Sequence, residues 1–284
     1  MRNRLSITFL MAVLVFSCAK SRIKEHPEWG SYFDKSGIKK ACFIMRDNNH
    51  ESIHYYNKDR CLERVCPAST FKVLLSLVAL ETAVAPDDQL VIKWDSVKRK
   101  PEWDKDMNLR EALTVSSEPY FKELARRIGP ARLQHFMDTI KYGNMKMSGD
   151  IADFWTNNTV QISADEQTGF MKRLYFGELP VSERSQRIVK TMMLREETPG
   201  YNLYYKTGTC QVNGKFIRWI TGFCERIEHQ KEQKESMNKA DVRNYPYFFA
   251  QNFELPVEDT SKNWSDVRLD ILHEMLKNYG AITN

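Results

Sequence analysis

The sequence lacks the composition of several protein classes. Glycine and proline account for only 12 and 10 of its 284 residues, and the six cysteines are spread along the chain. It is therefore neither collagen-like nor a small disulfide scaffold. Hydrophobic residues make up 42% and charged residues 28%, which excludes disorder and a coiled coil and supplies an ordinary core. Without internal repeats, this length fits one large α/β unit or two small domains.

Clustered basic residues and a helical or Cys/His metal-binding motif are also missing. The formal net charge is +5, partly from Arg2 and Arg4, and no run of lysine and arginine stands out. A surface for phosphate groups needs such a cluster, so we predict no nucleic-acid partner. Among the six histidines only His50 and His54 have HxxxH spacing, and they fall at a predicted strand, not on a helix; none belongs to a Cys/His grouping, so we predict no metal site.

No apolar run is long enough to span a membrane, and the longest one follows a basic start. The twelve-residue, mainly apolar run 5–16 comes after Arg2 and Arg4 and ends at Ser17-Cys18, which is typical of an export signal. Because a small residue precedes Cys18, we predict a lipoprotein signal peptide over 1–18, lipidated at Cys18. An ordinary signal peptide is the alternative. Residues 19–37 are then a tether, and the protein is exported to the periplasm and anchored to a membrane.

Five cysteines remain after Cys18, which is an odd number. Cys61 and Cys66 are close enough in sequence to form a disulfide in an oxidising compartment. Spacing does not establish connectivity, so the pairing stays open, and at least one thiol is left over.

Apolar periodicity predicts strands near both ends of the chain and helices between them. The predicted strands are residues 41–45, 52–56, 203–206, 216–226 and 247–253. The first predicted helix begins at Ser69, and five further helices are predicted over 109–128, 131–139, 164–176, 182–194 and 267–279. In residues 225–243, 10 of 19 residues are charged, which indicates a solvated loop. We predict an α/β protein of the α+β type: an antiparallel sheet built from both chain ends and flanked by helices, with a helical subdomain and a cleft beside it.

Ser69 and Lys72 form the first candidate catalytic pair. Three residues apart on a helix, they share one face, so the lysine amine can take the serine proton if burial keeps the amine neutral. Pro67 and the apolar Phe71 place the pair at the buried start of a helix, where free N–H groups favour an oxyanion. The pair is a common pattern by itself. A helix-capping serine with a solvent-exposed lysine is the alternative.

Lys206-Thr207-Gly208 provides a second element in a predicted C-terminal strand. A cation and a hydroxyl on a strand can bind a substrate carboxylate, and the glycine lets a ligand lie against the backbone. The order of the elements places this triplet at the edge of the cleft.

Together, these motifs resemble those of the class D (oxacillinase-type) serine β-lactamases, in the penicillin-binding/β-lactamase superfamily. The matching segments are Pro67-Ala68-Ser69-Thr70-Phe71-Lys72, Val115-Ser116, Tyr142-Gly143-Asn144, Phe154-Trp155 and Lys206-Thr207-Gly208. Five motifs in register over residues 38–280 make the resemblance specific. It implies a catalytic domain over residues 38–284 and β-lactam hydrolysis as the activity.

The resemblance implies that Ser69 attacks the β-lactam carbonyl and forms an acyl-enzyme. Lys72, carbamylated by CO2 to N6-carboxylysine, would be the general base, and Trp155 would donate a hydrogen bond to the carbamate. No other cofactor is implied. The N–H groups of Ser69 and Thr209 would form the oxyanion hole.

The remaining matched residues bind and protonate the substrate. Ser116, beside Lys206, would pass a proton to the departing nitrogen. Lys206, Thr207 and Gly208 would bind the carboxylate of penicillins, and Arg268 is the candidate for the carboxylate-binding arginine of the family.

One position departs from the family pattern. Where the family has Ser-x-Val, this chain has Ser116-Ser117-Glu118, with Pro119 next. A carboxylate thus replaces an apolar residue expected to cover the modified lysine. This predicts normal acylation but weak carbamylation of Lys72 and slow deacylation.

Two other functions share these motifs. One is a penicillin-binding sensor that is acylated and does not release the product; the other is a peptidoglycan transpeptidase or carboxypeptidase. Known sensors carry several transmembrane helices before this domain, and transpeptidases carry a different middle motif. Both features favour the hydrolase.

Overall fold

The computed structural model describes residues 22–229 and 242–283. The predicted signal peptide, with Cys18, and the middle of the charged stretch lie outside the described residues. Among the helices that are described, none is both long and apolar enough to cross a membrane.

The described residues contain a seven-stranded sheet formed from both ends of the chain, as predicted. Its order is β1-β3-β2-β7-β6-β5-β4, and all neighbours are antiparallel except β1 and β3. The strands are β1 (Ile23–Glu25), β2 (Lys40–Asp47), β3 (Ser52–Tyr56), β4 (Leu194–Glu197), β5 (Tyr201–Val212), β6 (Lys215–His229) and β7 (Val242–Pro256).

Most helices lie between β3 and β4 in sequence. The α-helices of the described residues are α1 (Gly30–Asp34), α2 (Lys58–Leu62), α3 (Lys72–Glu81), α4 (Leu109–Thr114), α5 (Glu118–Ile128), α6 (Pro130–Ile140), α7 (Ala164–Phe176), α8 (Glu183–Met192) and α9 (Trp264–Tyr279), of which α1 precedes β2 and α9 follows β7. Local signals define several ends: Ser163 and Glu166 form a capping box at the start of α7, and Gly177 ends it in the left-handed conformation.

The sheet is covered on both faces because alternate residues of its central strands point to opposite sides. Tyr204 and Phe223 pack into the larger core with α3 and the other middle helices. The next residues along, Leu203 and Cys224, pack into a second core with α9. Helix α3 is buried along nearly its whole length, as its apolar sequence predicts.

The predicted tether is wrong for much of its length, because residues 23–34 are folded onto the domain. β1 pairs with β3, and His26 Nε2 lies 2.9 Å from His54 Nδ1. Trp29 stacks on His26 and meets Phe43 edge-on at a centroid distance of 5.4 Å. These aromatic contacts hold a segment whose polar composition indicates a linker.

Two other boundaries differ from the prediction. The helix predicted over 109–128 is two helices, because Ser116 takes a φ of +56° between α4 and α5. The predicted loop 225–243 is shorter, because β6 continues to His229 and β7 begins at Val242. Charged side chains are compatible with strands that extend beyond the core.

Candidate active site

The serine nucleophile candidate lies on a short 3-10 turn, Ala68–Phe71, directly before α3. Ala68 has a φ of +52°, which is uncommon for an L residue, and its N–H donates to the Trp155 carbonyl at 3.1 Å. Ser69 is half-buried whereas its neighbours are buried. The turn therefore presents Ser69 at the surface of the cleft.

Lys72, one turn later, is completely buried. Its Nζ donates to the Ser116 carbonyl at 2.7 Å and to Ser116 Oγ at 3.2 Å, and it lies 5.5 Å from the centre of the Phe121 ring. Burial lowers the pKa of Lys72 to about 7, while the charge of Glu118 acts in the opposite direction. A neutral amine is thus accessible near pH 7.

Ser116 joins two lysines. The break between α4 and α5 places its Oγ 3.2 Å from Lys72 Nζ and 2.9 Å from Lys206 Nζ. Burial and the charge of Lys72 hold the pKa of Lys206 well below its usual range. A hydroxyl between two amines can receive a proton from one and pass it on.

The Lys206-Thr207-Gly208 triplet lies in β5, directly against the turn Ala68–Phe71 that carries Ser69, which we call the nucleophile turn. A Cβ on Gly208 would lie 3.0 Å from the Pro67 carbonyl oxygen and 3.1 Å from the Ser69 nitrogen. These distances are shorter than ordinary Cβ contacts, so a side chain here would require the turn or the strand to shift by a few tenths of an ångström. This contact places the backbone of Ser69 beside strand β5, in which Thr209 directly follows Gly208.

Arg268, from the first turns of α9, reaches the same strand. Its Nη1 donates to the carbonyls of Gly208 at 3.1 Å and Trp219 at 3.3 Å, and Nη2 donates to Ser265 Oγ. Its Nε is buried and has no partner among the described residues. Burial lowers the pKa of Arg268 to about 10, so the guanidinium stays charged near neutral pH.

A cavity of about 250 Å³ lies where these cations meet. Lys206, Thr207 and Arg268 line it together with Arg195, a residue that our sequence analysis missed. Arg195 Nη1 donates to the Met192 and Leu194 carbonyls at the end of α8. No motif contains Arg195, so the sequence offers no signal for it. Three cations around a small cavity suit a carboxylate ligand.

Comparison with known proteins decides the family. Residues 33–231 match the penicillin binding protein transpeptidase domain. The chain is 34% identical to beta-lactamase OXA-48 from Klebsiella pneumoniae over 90% of this chain and 91% of that protein. The chain belongs to the class D serine β-lactamases.

Solved structures agree with this assignment. A class D beta-lactamase from Sebaldella termitidis is 30% identical and superimposes with a TM-score of 0.81, covering 92% of this chain and 99% of that one. The C-terminal domain of the Bacillus licheniformis BlaR penicillin-receptor is 28% identical with a TM-score of 0.78, covering 91% of this chain and 96% of that one. The fold of this class D chain is thus shared with a receptor as well as with hydrolases.

Trp155, which the sequence analysis matched to the tryptophan of the family, is buried beside the nucleophile turn. Its ring stacks on Phe71, the residue before Lys72, at a centroid distance of 5.9 Å, and meets Phe154 edge-on. Tyr142 packs edge-on against Phe71 from another side. An aromatic wall therefore lies directly behind the nucleophile turn.

Glu118 marks where this chain differs from the class D pattern. It is the first residue of α5 and is half-exposed. Within the described part of the chain its carboxylate forms no hydrogen bond or ion pair, yet its charge raises the pKa of Lys72. The charge of Glu118 therefore favours the protonated form of Lys72 without a hydrogen bond between the two side chains.

Proposed function

We propose that this protein hydrolyses β-lactams through an acyl-enzyme on Ser69. The observation that carries the proposal is the buried amine of Lys72, one helical turn from Ser69 and hydrogen-bonded to Ser116. A serine hydroxyl needs a base, and an amine whose pKa lies near 7 can act as one.

Acylation would proceed in two proton transfers. Lys72 takes the proton of Ser69 as Oγ bonds to the β-lactam carbonyl carbon, and the N–H groups of Ser69 and Thr209 stabilise the oxyanion, each by about 3 to 4 kcal/mol. The ring C–N bond then breaks. The nitrogen receives its proton through Ser116, whose hydroxyl lies between Lys72 and Lys206.

Substrate orientation would come from the cationic cavity. A β-lactam that carries a carboxylate next to its ring nitrogen would place this group near Lys206, Thr207 and Arg268. Charge-assisted hydrogen bonds from these side chains would fix the carbonyl over Ser69.

We also propose carbamylation of Lys72, to a limited extent. In the family, CO2 converts this lysine into a carbamate that supplies the base for the deacylating water. A buried amine with a pKa of about 7 beside the Phe121 ring fits the modification. The negative charge of Glu118 disfavours a second anion nearby, so the modified fraction is expected to be small.

A receptor function is the second candidate, because the BlaR domain shares this fold. Incubation with excess benzylpenicillin separates the two functions. A hydrolase opens many ring equivalents per protein molecule, as followed by the loss of β-lactam absorbance, and Ser69→Ala abolishes this loss. A receptor opens one equivalent and stops.

We further propose that the chain is an exported lipoprotein attached to a membrane through Cys18. The support is the sequence of residues 1–18. Fractionation of producing cells tests it: the native chain is expected in the membrane fraction, and Cys18→Ala is expected to lose lipid labelling. Equal labelling of both would show that Cys18 is not the acceptor.

A further inference from the structure

Two buried cysteines flank the contact between the nucleophile turn and β5. Cys66 comes three residues before Ser69, and Cys210 comes two residues after Gly208. Cys210 Sγ lies 3.5 Å from the Cys66 carbonyl oxygen, and the two side chains are close enough to shift each other's pKa, that of Cys66 downwards and that of Cys210 upwards. Trp219 Nε1 donates to the same Cys66 carbonyl at 2.8 Å, which holds this backbone against the sheet.

The other cysteines have different neighbours, and Cys42 and Cys61 form a second buried pair that does not include the nucleophile turn. Cys61 Sγ donates to the carbonyls of Phe43 at 3.3 Å and Tyr56 at 3.4 Å, whereas Cys66 Sγ donates to the Trp155 carbonyl at 3.3 Å. The two sulfurs thus have different surroundings, which disfavours the Cys61–Cys66 pairing that sequence spacing allows. Cys224 is buried in the second core, and among the described residues the hydrogen-bond partner of its thiol is the Ala281 carbonyl, at 3.8 Å.

We propose that Cys66 and Cys210 form a disulfide that joins the nucleophile turn covalently to strand β5. The inference rests on the proposed export, which would bring the chain into an oxidising compartment. All five described cysteines carry free thiols in the structure, so the bond is a modification that oxidation would add.

The reaction is a thiol–disulfide exchange with a disulfide oxidant. One cysteine thiolate attacks the oxidant and forms a mixed disulfide, and the second thiolate displaces the oxidant's remaining thiol. The two cysteines lose two protons and two electrons, and the oxidant is reduced to two thiols. The hydrogen bond with Cys210 lowers the pKa of Cys66, which favours its thiolate as the first nucleophile. Because both sulfurs are buried, the bond forms as the chain folds.

The cross-link would act on the oxyanion hole. The backbone nitrogens of Ser69 and Thr209 are the proposed oxyanion donors, and they lie on the two segments that the bond would join. Holding these segments together keeps the donors in position for the transition state. The bond also closes a long loop, which stabilises the fold by restricting the unfolded chain.

The test is oxidative refolding of the full chain in a buffer of oxidised and reduced glutathione. Alkylation of free thiols and non-reducing peptide mapping should show Cys66 linked to Cys210. Cys224→Ala, the matched control, should keep this linkage. The oxidised protein should melt about 10 °C above the same protein refolded with a reductant, and this difference should vanish in Cys66→Ala. Its kcat for benzylpenicillin should exceed that of the reduced form about three- to tenfold.

The opposing results are equally clear. Alkylation of both Cys66 and Cys210 after oxidative refolding, or a peptide that links Cys66 to Cys61, would overturn the inference. The glutathione buffer supplies the oxidant, so the result does not depend on export. A bond that forms in the buffer but not in cells would support the cross-link and count against the proposed export.

Discussion

At the scale of single residues, two buried lysines joined by one serine hydroxyl govern the protonation of this site. Lys72 and Lys206 each lose hydration on burial, and the charge of Lys72 further disfavours the charge of Lys206. Arg195 and Arg268 add positive charge around Lys206. A bound anionic substrate would therefore offset the repulsion between Lys206 and the neighbouring cations.

Lys206→Ala is expected to lower kcat/KM for penicillins about 10- to 100-fold. The change removes a cation from the carboxylate cavity and the partner of Ser116 in proton transfer, so KM should rise and kcat should fall. Steady-state kinetics with benzylpenicillin measure both. Lys190→Ala, on the surface helix α8, is the control and should leave both constants unchanged; unchanged constants in Lys206→Ala would mean that the triplet is structural.

Glu118→Val is expected to raise kcat about tenfold and to make it respond to added bicarbonate. The substitution removes a negative charge that favours the ammonium form of Lys72 and repels a carbamate. Steady-state rates of both forms across bicarbonate concentrations measure the effect.

Glu123→Val is the matched control, since Glu123 lies on the same helix and pairs with Arg127 at 2.9 Å. It should leave kcat and its bicarbonate dependence unchanged. Strong bicarbonate activation of the unmodified protein, or a loss of activity in Glu118→Val, would mean that Glu118 does not oppose the base and has a different role.

Some residues of the site could be predicted from sequence motifs, and others could not. Ser69, Lys72, Ser116 and Lys206 stand in recognisable motifs, and the structure brings them together. Arg268 could be proposed only by its place near the end of the chain. Arg195 stands in no motif, and its place in the cavity depends on the pairing of β4 with β5, which no local pattern reports.

At the scale of secondary structure, the helix predicted over 109–128 shows the limit of periodicity. Apolar residues continue at helical spacing through the whole segment, so a single helix is the natural prediction. The break instead depends on the positive φ of Ser116, which lets its carbonyl and hydroxyl both face Lys72. Strain at a position that serves the site is not encoded in hydrophobic pattern.

A substitution in the N-terminal segment tests whether residues 23–34 fold onto the domain. Trp29→Ala is expected to lower the free energy of unfolding by about 2 kcal/mol, because the indole is half-buried against His26 and Phe43. Urea unfolding measures the change. Lys24→Ala, exposed on β1 of the same segment, should shift stability by less than about 0.5 kcal/mol. Equal stability of Trp29→Ala and the native chain would mean that this segment is a tether in solution.

At the scale of the whole molecule, the sheet order explains how distant residues meet. β2 from the N-terminal part pairs with β7 on one side and with β3 on the other, so the middle helices, with Lys72 and Ser116, pack beside β5 from the C-terminal part. The alternation of strands, helices and strands could be predicted because each element carries its own periodicity. The folding of residues 23–34 onto the sheet could not, because it depends on a few aromatic contacts between distant segments.

The pH dependence of acylation follows from the burial of Lys72. The lowered pKa of about 7 means that the amine is neutral above this pH and protonated below it, so kcat/KM should fall about tenfold per pH unit below about pH 7. Glu118→Gln removes the charge that raises this pKa, so the acid limb should move to lower pH. A limb that stays in place in Glu118→Gln would mean that another group titrates.

Intact-mass spectrometry of the protein mixed with benzylpenicillin tests the central claim most directly. The native chain is expected to gain the mass of one penicillin molecule and then to return to its original mass as product accumulates. Ser69→Ala should retain its fold and show no adduct, because a helix-start serine contributes at most about 1 to 2 kcal/mol as a cap. An adduct of the same mass on Ser69→Ala, or no adduct and no turnover with the native chain, would contradict the account.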